Sequence, residues 1–181
     1  MSAIFSLKRI GLATALFSVV PMFGCQSSGA KMIRTETDVD LDRFMGRWYV
    51  LASIPTPLEK NAFNAVETYE RKGADRIQTT FEFNRGAADG PKKTYRPTAI
   101  VEDTTSNALW GMQFLWPFTA EYRIVHVDEA YETTVIGRSR RDYVWVMART
   151  PHVSDETYQS LTRIVANQGY DLDELVRVPH D

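Results

Sequence analysis

The chain has 181 residues, of which 44% are hydrophobic and 12% aromatic, and this excludes a chain that is disordered throughout. The formal net charge is only −2, which argues against a nucleic-acid partner, because phosphate contacts need a basic excess. Cys25 is the single cysteine, so an internal disulfide is excluded and stability must come from the core.

The first 24 residues have the layout of a secretory signal. Lys8 and Arg9 form a positive start, and residues 10–20 follow without a charge. This apolar run is too short to span a bilayer comfortably, so the pattern favours a signal peptide over a transmembrane helix. We therefore predict that residues 1–24 are a signal peptide.

Cys25 follows Gly24 directly after this apolar run, in a pattern that resembles the lipobox of bacterial lipoproteins. The resemblance implies cleavage before Cys25, a diacylglycerol on its sulfur and an acyl group such as palmitate on its new amine. The residue after Cys25 is Gln26 and not aspartate. In lipoproteins of this kind this implies sorting to the outer membrane, with the protein facing the periplasm. Residues 25–38 are polar enough for a lipidated tether, and residues 39–181 form one predicted domain. The alternative is a plain secretory signal in which Cys25 is incidental.

From residue 46 onward, short β-rich runs alternate with turn residues. The predicted strands are residues 46–54, 64–71, 76–84, 94–102, 108–114, 121–127, 133–138 and 143–148. Pro97 predicts an edge or a bulge in the fourth strand. The first strand has apolar residues at both parities, so its inward face stays open. Short strands at this spacing favour a sandwich or an up-and-down barrel over βαβ units.

After residue 150 the period of the pattern changes from two to that of a helix. Ser154 is a good N-cap, and Asp155 and Glu156 lie in the first turn, where carboxylates suit the helix dipole. The apolar residues at helical spacing are Tyr158, Leu161, Ile164 and Val165. A last β-like run covers residues 175–178. An eight-stranded barrel would offer its outer surface to the apolar stripe of this helix.

Three short stretches carry a family resemblance. Gly46 and Trp48, which follow the run 41–44, resemble the first lipocalin motif. Asp142 and Tyr143 lie where lipocalins have their second motif, and Arg149 matches the third. The resemblance implies an all-β fold: an eight-stranded up-and-down antiparallel β-barrel, the lipocalin calyx, with one C-terminal α-helix packed outside. It also implies that Arg149 lies over the ring of Trp48 at the closed end of the barrel.

The closer resemblance is to the group of bacterial outer-membrane lipocalins and apolipoprotein D. Residues 116–118 and 142–151 carry it, and the likeness covers roughly residues 38–178. The apolipoprotein branch has disulfides, which this chain cannot form, so the resemblance places it with the bacterial branch.

Strand parity predicts which side chains face the barrel interior. In residues 76–84 the apolar face alternates with a polar one, and residues 110–114 repeat this pattern. The predicted ligand-binding residues are Phe81, Phe83, Tyr95, Trp110, Met112, Phe114 and Tyr122. The alternative is that these aromatic residues fill a solid core.

The resemblance implies a fatty acid, a lysophospholipid or a similar amphiphile as ligand, with its polar head near the mouth. Burial of each CH₂ would contribute roughly 0.8 kcal/mol. We hypothesise storage or transport of such lipids at the cell envelope, in maintenance or under stress, with the membrane as partner through the lipid anchor. Whether the chain forms a homodimer is left undecided by the sequence. Arg138, Arg140 and Arg141 form a basic turn, which suits either a solvated hairpin or a contact to lipid phosphate.

No catalytic, metal or cofactor site is predicted. His126, His152 and His180 are too scattered for a metal site, and Ser139 lacks the glycine two places on that a nucleophile elbow needs. The chain is therefore predicted not to be an enzyme. Two alternative functions remain. An enzyme would have a group with a shifted pKa inside the cavity. An envelope interaction module would have a filled barrel and would use residues 116–118 as an exposed apolar patch.

Overall fold

The computed structural model describes residues 32–115 and 117–181, so the predicted signal peptide, Cys25 and Trp116 lie outside the described residues. The helices are Leu41–Phe44 (α1) and Asp155–Asn167 (α2), with a 3₁₀ turn at Leu172–Glu174. The strands are Gly46–Ile54 (β1), Ala62–Arg71 (β2), Arg76–Arg85 (β3), Lys92–Tyr95 (β4), Thr98–Val101 (β5), Leu109–Leu115 (β6), Phe118–Val127 (β7), Thr133–Gly137 (β8), Val144–Ala148 (β9) and Val176–Arg177 (β10).

These strands form a closed antiparallel barrel. Neighbouring strands pair in chain order, and β1 also pairs with β9, from Tyr49 opposite Ala148 to Ile54 opposite Val144. β4 and β5 both pair with β3 and share one place in the barrel, which therefore has eight strand positions. The predicted eight-stranded up-and-down barrel is confirmed. Closure of this kind removes the sheet edges on which other chains could pair.

The fourth predicted strand, residues 94–102, is two strands rather than one. β4 ends at Tyr95 and β5 begins at Thr98, with Arg96 and Pro97 between them. Proline has no N–H to donate to a strand ladder, so it interrupts the pairing. The carbonyl of Pro97 instead accepts the backbone N–H of Thr79 at 3.0 Å.

β1 is buried on both faces. Trp48 and Val50 belong to the core inside the barrel, whereas Leu51 and Ala52 belong to a second core on its outside. A β-bulge in the pairing with β9, between Val50 and Ala52, accompanies this change of face. Alternation could not assign an inward face to β1 because the strand has no solvent-facing side to reveal it.

α2 covers the outer core. The hydroxyl of Ser154 accepts the backbone N–H of Thr157 at 3.1 Å and so caps the helix, as predicted. Leu161 and Val165 are buried against strands β8 and β9. The prediction of one C-terminal helix packed outside the barrel is confirmed. Among the residues that the structure describes, no helix combines the length and the apolar character needed to cross a membrane.

The segment ahead of α1 runs along the outside of the barrel. We call the end that α1 covers the closed end, and the opposite end, where β1 and β8 finish, the open end. Ile33 lies beside Gly137 at the open end, and the N–H of Glu36 donates to the carbonyl of Ile124 at 2.9 Å in the middle of β7. Val39 is fully buried at the closed end. Residues 32–38, which the sequence assigns to a tether, therefore lie against the barrel.

Candidate ligand-binding cavity

Arg149 fastens the closed end of the barrel. Its guanidinium carbon lies 3.8 Å from the ring centroid of Trp48. The same group donates to the backbone carbonyls of Arg47 at 2.9 Å and Arg43 at 2.6 Å. Gly46 has a φ of +95°, and a Cβ at this position would lie 3.4 Å from Arg149 Nη1. Three residues of the lipocalin motifs thus meet at one place and hold the closed end together.

A packed aromatic layer lies above this closed end. Trp110 is fully buried, with its ring 5.4 Å from Phe44 in an edge contact and 5.3 Å from Tyr122 in a stacked one. Tyr69 adds an edge contact to Trp110 at 5.7 Å. The lower part of the barrel is therefore filled by side chains. Tyr122 forms the floor of the space above, whereas Tyr69 is packed within this layer.

A cavity of about 330 Å³ opens above this floor. Ligand sites range from about 300 to 1,000 Å³, so one small amphiphile fits partly or wholly inside. The wall residues are Thr56, Pro57, Leu58, Glu59, Glu67, Phe81, Tyr95, Met112, Phe114, Ala120, Glu121, Tyr122, Arg138, Tyr143 and Trp145. The described residues do not form the filled barrel that would have favoured an interaction module.

Glu67 places a carboxyl group at the floor of this cavity. The hydroxyl of Tyr69 donates to Glu67 Oε2, and the hydroxyl of Tyr122 is hydrogen-bonded to both Tyr69 and Glu67. The pKa of Glu67 is raised from 4.5 to about 8. Burial is the main cause and the charge of Glu59 adds to it, while the hydrogen bond from Tyr122 acts in the opposite direction. At neutral pH the group is therefore mostly protonated. Burial and the neighbouring carboxylate also raise the pKa of Tyr122.

Glu59 is a second carboxyl group in the wall, on the loop between β1 and β2. Its Oε2 accepts the indole N–H of Trp145 at 2.8 Å, and its Oε1 accepts the hydroxyl of Thr56, also at 2.8 Å. Burial raises the pKa of Glu59, while these two hydrogen bonds act in the opposite direction. Trp145 stacks on Tyr122 at 6.2 Å, so the two glutamates border the same aromatic surface.

Arg138 and Tyr143 stand at the mouth of the cavity. The guanidinium carbon of Arg138 lies 5.2 Å from the ring centroid of Tyr143, and its Nη1 lies 3.2 Å from Asp142 Oδ2. Within the described part of the chain, the buried Nε of Arg138 has no hydrogen-bond partner. Asp142 and Tyr143 of the second lipocalin motif therefore position the basic side chain that borders the cavity.

The rim around the mouth is apolar. Leu58 is 46% exposed, Phe114 55% and Phe118 73%. Leu58 and Phe114 continue the cavity wall outward, and Phe118 lies on the next strand. An amphiphile that protrudes past these three residues would meet hydrocarbon and aromatic carbon, whereas Arg138 supplies charge at the mouth.

Five of the seven predicted ligand-binding residues line the cavity: Phe81, Tyr95, Met112, Phe114 and Tyr122. The other two, Phe83 and Trp110, face inward but do not line it. Trp110 is sealed in the floor layer, and Phe83 is only 1% exposed because it packs against Phe81 at 5.2 Å and Tyr95 at 6.2 Å. Strand parity indicates on which face of the sheet a side chain lies, but not how far along the barrel axis it lies.

Sequence reasoning missed the polar part of the wall. Glu67 has the same parity in β2 as the buried Tyr69, and this shared parity was the signal that could have identified it. Trp145 and Glu59 lie on β9 and in a loop, where no alternation marks them. In residues 32–115 and 117–181 no group of three or more His, Cys, Asp or Glu side chains is placed to hold a metal ion.

The fold and the site together define a class: a single-chain β-barrel container with an apolar cavity that is closed at one end and open at the other. The model of the Lipocalin-like domain matches residues 39–180. The chain therefore belongs to the lipocalin family, whose members bind small hydrophobic ligands and are typically carriers rather than enzymes.

Individual relatives agree with this assignment. The putative lipocalin R877 of Acanthamoeba polyphaga mimivirus is 30% identical over 148 residues, which cover 79% of this chain and 86% of the relative. The outer membrane lipoprotein Blc of Escherichia coli (strain K12) is 26% identical over 176 residues, covering 95% of this chain and 96% of the relative. Insecticyanin of the tobacco hornworm, Manduca sexta, superposes with a TM-score of 0.65 at 12% identity, over 82% of this chain and 85% of that one. The resemblance to outer-membrane lipoprotein lipocalins is thereby confirmed.

Proposed function

We propose that this chain is a lipid-anchored carrier at the bacterial outer membrane, whose cavity takes the hydrocarbon chain of a fatty acid or lysophospholipid. The observation that carries the proposal is the cavity of about 330 Å³, with Phe81, Met112, Ala120 and other apolar groups in its wall. Each methylene that enters it contributes roughly 0.8 kcal/mol before the costs of association. Storage and transport of such lipids would serve envelope maintenance and stress.

Two observations support the anchor and the location. Cys25 follows the apolar run at the place where lipoproteins are acylated, and two or more acyl chains are what stable anchoring needs. The relative Blc, similar over 95% of this chain, is an outer membrane lipoprotein. We propose the same membrane here, with the barrel on the periplasmic side. The test is intact-mass analysis and membrane fractionation of the full chain against Cys25→Ser, which should lose both the acyl mass and the membrane association.

Native mass spectrometry tests the ligand. The protein, titrated with a lysophospholipid and with a fatty acid, should form a saturable one-to-one complex. Met112→Trp places an indole in the cavity and should weaken the complex at least about tenfold, because the bulk displaces ligand methylenes. Gln113→Trp, one residue along β6 and not in the cavity wall, is the matched control and should bind as before. Saturable binding that is equal in both variants would refute the cavity as the site.

An enzyme is the second candidate, because Glu67 meets the criterion of a shifted titration inside the cavity. Burial and hydrogen bonding to two tyrosines account for the shift without a reaction. We expect a bound ligand to be recovered unchanged. Mass spectrometry of the ligand after prolonged incubation with the protein would reveal turnover, and its loss in Glu67→Gln would favour the enzyme.

A further inference from the structure

The cavity has an unusual distribution of polarity. A barrel that takes a lipid tail first is expected to be apolar at its floor and polar at its mouth. Here a carboxyl group, Glu67, lies at the floor with the hydroxyls of Tyr69 and Tyr122, while Leu58 and Phe114 form an exposed apolar rim. The deep end therefore offers a carboxyl group and hydroxyls, and the shallow end offers an apolar rim together with Arg138.

Each element around Glu67 contributes a group that bears on its charge. β2 supplies Tyr69, β7 supplies Tyr122, and the β1–β2 loop supplies Glu59, whose charge disfavours a second anion. The other titratable groups of the wall are Tyr95, Glu121, Arg138 and Tyr143. Among the ion pairs of the described residues, none brings a Lys, Arg or His to Glu67, and Arg138 is paired with Asp142. A cationic partner for this carboxyl group can therefore come from a ligand.

We infer that the cavity selects an amphiphile with a hydrogen-bond-donating polar end, an ammonium group above all, which enters first and binds the Glu67 carboxylate at the floor. The hydrocarbon chain then runs past Phe81 and Met112 and leaves over the rim at Phe114. The inference rests on the proposed function, since it concerns the same cavity, and it names the head group and the orientation of the ligand.

The pH dependence follows from the charges. The pKa of Glu67 is about 8 in the empty cavity, so an alkylammonium must displace a proton to bind at neutral pH. Its affinity should rise by up to about tenfold per pH unit towards about pH 8, and fall once the amine itself deprotonates near pH 10. A fatty acid behaves in the opposite way. It enters chain first, leaves its carboxylate near Arg138, covers a protonated Glu67, and loses affinity above about pH 8.

The experiment compares decylamine, decanol and decanoate, with a lysophospholipid as reference, by isothermal titration calorimetry between about pH 6 and pH 9. The proteins are the wild type, Glu67→Gln and the control Glu70→Gln, which makes the same change on the same strand, at an exposed position outside the cavity wall. We expect decylamine to bind at least about tenfold more tightly than decanoate and to release a proton at neutral pH. Glu67→Gln should remove that preference. Glu70→Gln should change the affinity for decylamine by less than about twofold, and neither variant should change binding of the lysophospholipid by more than that.

The outcomes separate the inference from the proposed function. If the lysophospholipid binds but the amine shows no preference, no proton release or no rise towards pH 8, the inference is wrong and the carrier proposal stands. If none of the four ligands binds, the carrier proposal itself fails. The proton release is measured on the wild type alone, so the inference stays testable even if Glu67→Gln does not fold.

Discussion

Removal of the carboxyl group at the cavity floor should stabilise the protein in alkaline solution. The pKa of Glu67 rises from 4.5 in an exposed chain to about 8 in the fold, so the folded state holds a proton that the unfolded state releases. Below about pH 4.5 both states are protonated, and above about pH 8 both are ionised. Between these limits the free energy of unfolding falls by about 1.4 kcal/mol per pH unit, or about 5 kcal/mol in total.

Glu67→Gln abolishes this titration while keeping an oxygen that can accept the hydroxyl of Tyr69. Urea unfolding at about pH 5, 7 and 9 should show the variant gaining on the wild type by about 4 kcal/mol across the series, nearly all of it below about pH 8. Glu82→Gln is the control that should show no trend: pairing with Lys92 at 2.9 Å lowers the pKa of Glu82, so this carboxyl group is ionised in both states and its contribution stays nearly constant across the series. A difference between wild type and Glu67→Gln that stays constant from pH 5 to pH 9 would refute the buried-carboxyl reasoning.

Three further substitutions probe the frame around the cavity. Arg149→Ala removes the cation over Trp48 and several hydrogen bonds to backbone carbonyls. The free energy of unfolding in urea should therefore fall by about 3 kcal/mol. A loss below about 1 kcal/mol would contradict the role of Arg149 at the closed end. Tyr170→Phe removes a hydroxyl that accepts the N–H of Arg138 at 2.7 Å. The free energy of unfolding should fall by about 1–2 kcal/mol, and hydrogen exchange of the Arg138 amide should accelerate. Unchanged exchange would contradict the role of this hydrogen bond. Gly46→Ala at a φ of +95° should lower the thermal midpoint through a strain of about 1–2 kcal/mol, and an unchanged midpoint would show that the turn adapts.

The parts of the fold that follow from local chemistry could be predicted from sequence. The α2 cap at Ser154 needs only a hydroxyl and the next turn of backbone, and it appears as predicted. Parity placed Phe81 and Met112 inward because polar or small residues alternate with them in their strands. Parity failed for the height of Trp110, which depends on how Phe44 and Tyr69 stack against it from distant parts of the chain.

The polar groups of the site escaped prediction for a related reason. A glutamate in a predicted strand is expected to face solvent, because burial of a carboxyl group costs free energy unless hydrogen bonds offset it. The groups that offset it for Glu67 come partly from Tyr122, which is 55 residues further along the chain and meets it only when the barrel closes. Glu59 depends in the same way on the indole of Trp145, with which it shares no strand. Long-range polar partners leave no periodic pattern in a sequence.

The course of residues 32–39 along the barrel has a consequence for how the protein would stand on a bilayer. This segment begins beside Gly137 at the open end and continues to the closed end, so the described part of the chain starts at the same end of the barrel as the mouth. The seven residue-to-residue steps from Cys25 to Met32 can span at most about 25 Å even when fully extended. If Cys25 is acylated as proposed, Met32, the neighbour of Ile33 at the open end, would lie within that distance of the lipid headgroups. A ligand leaving the membrane would then cross a short gap of water on its way into the barrel.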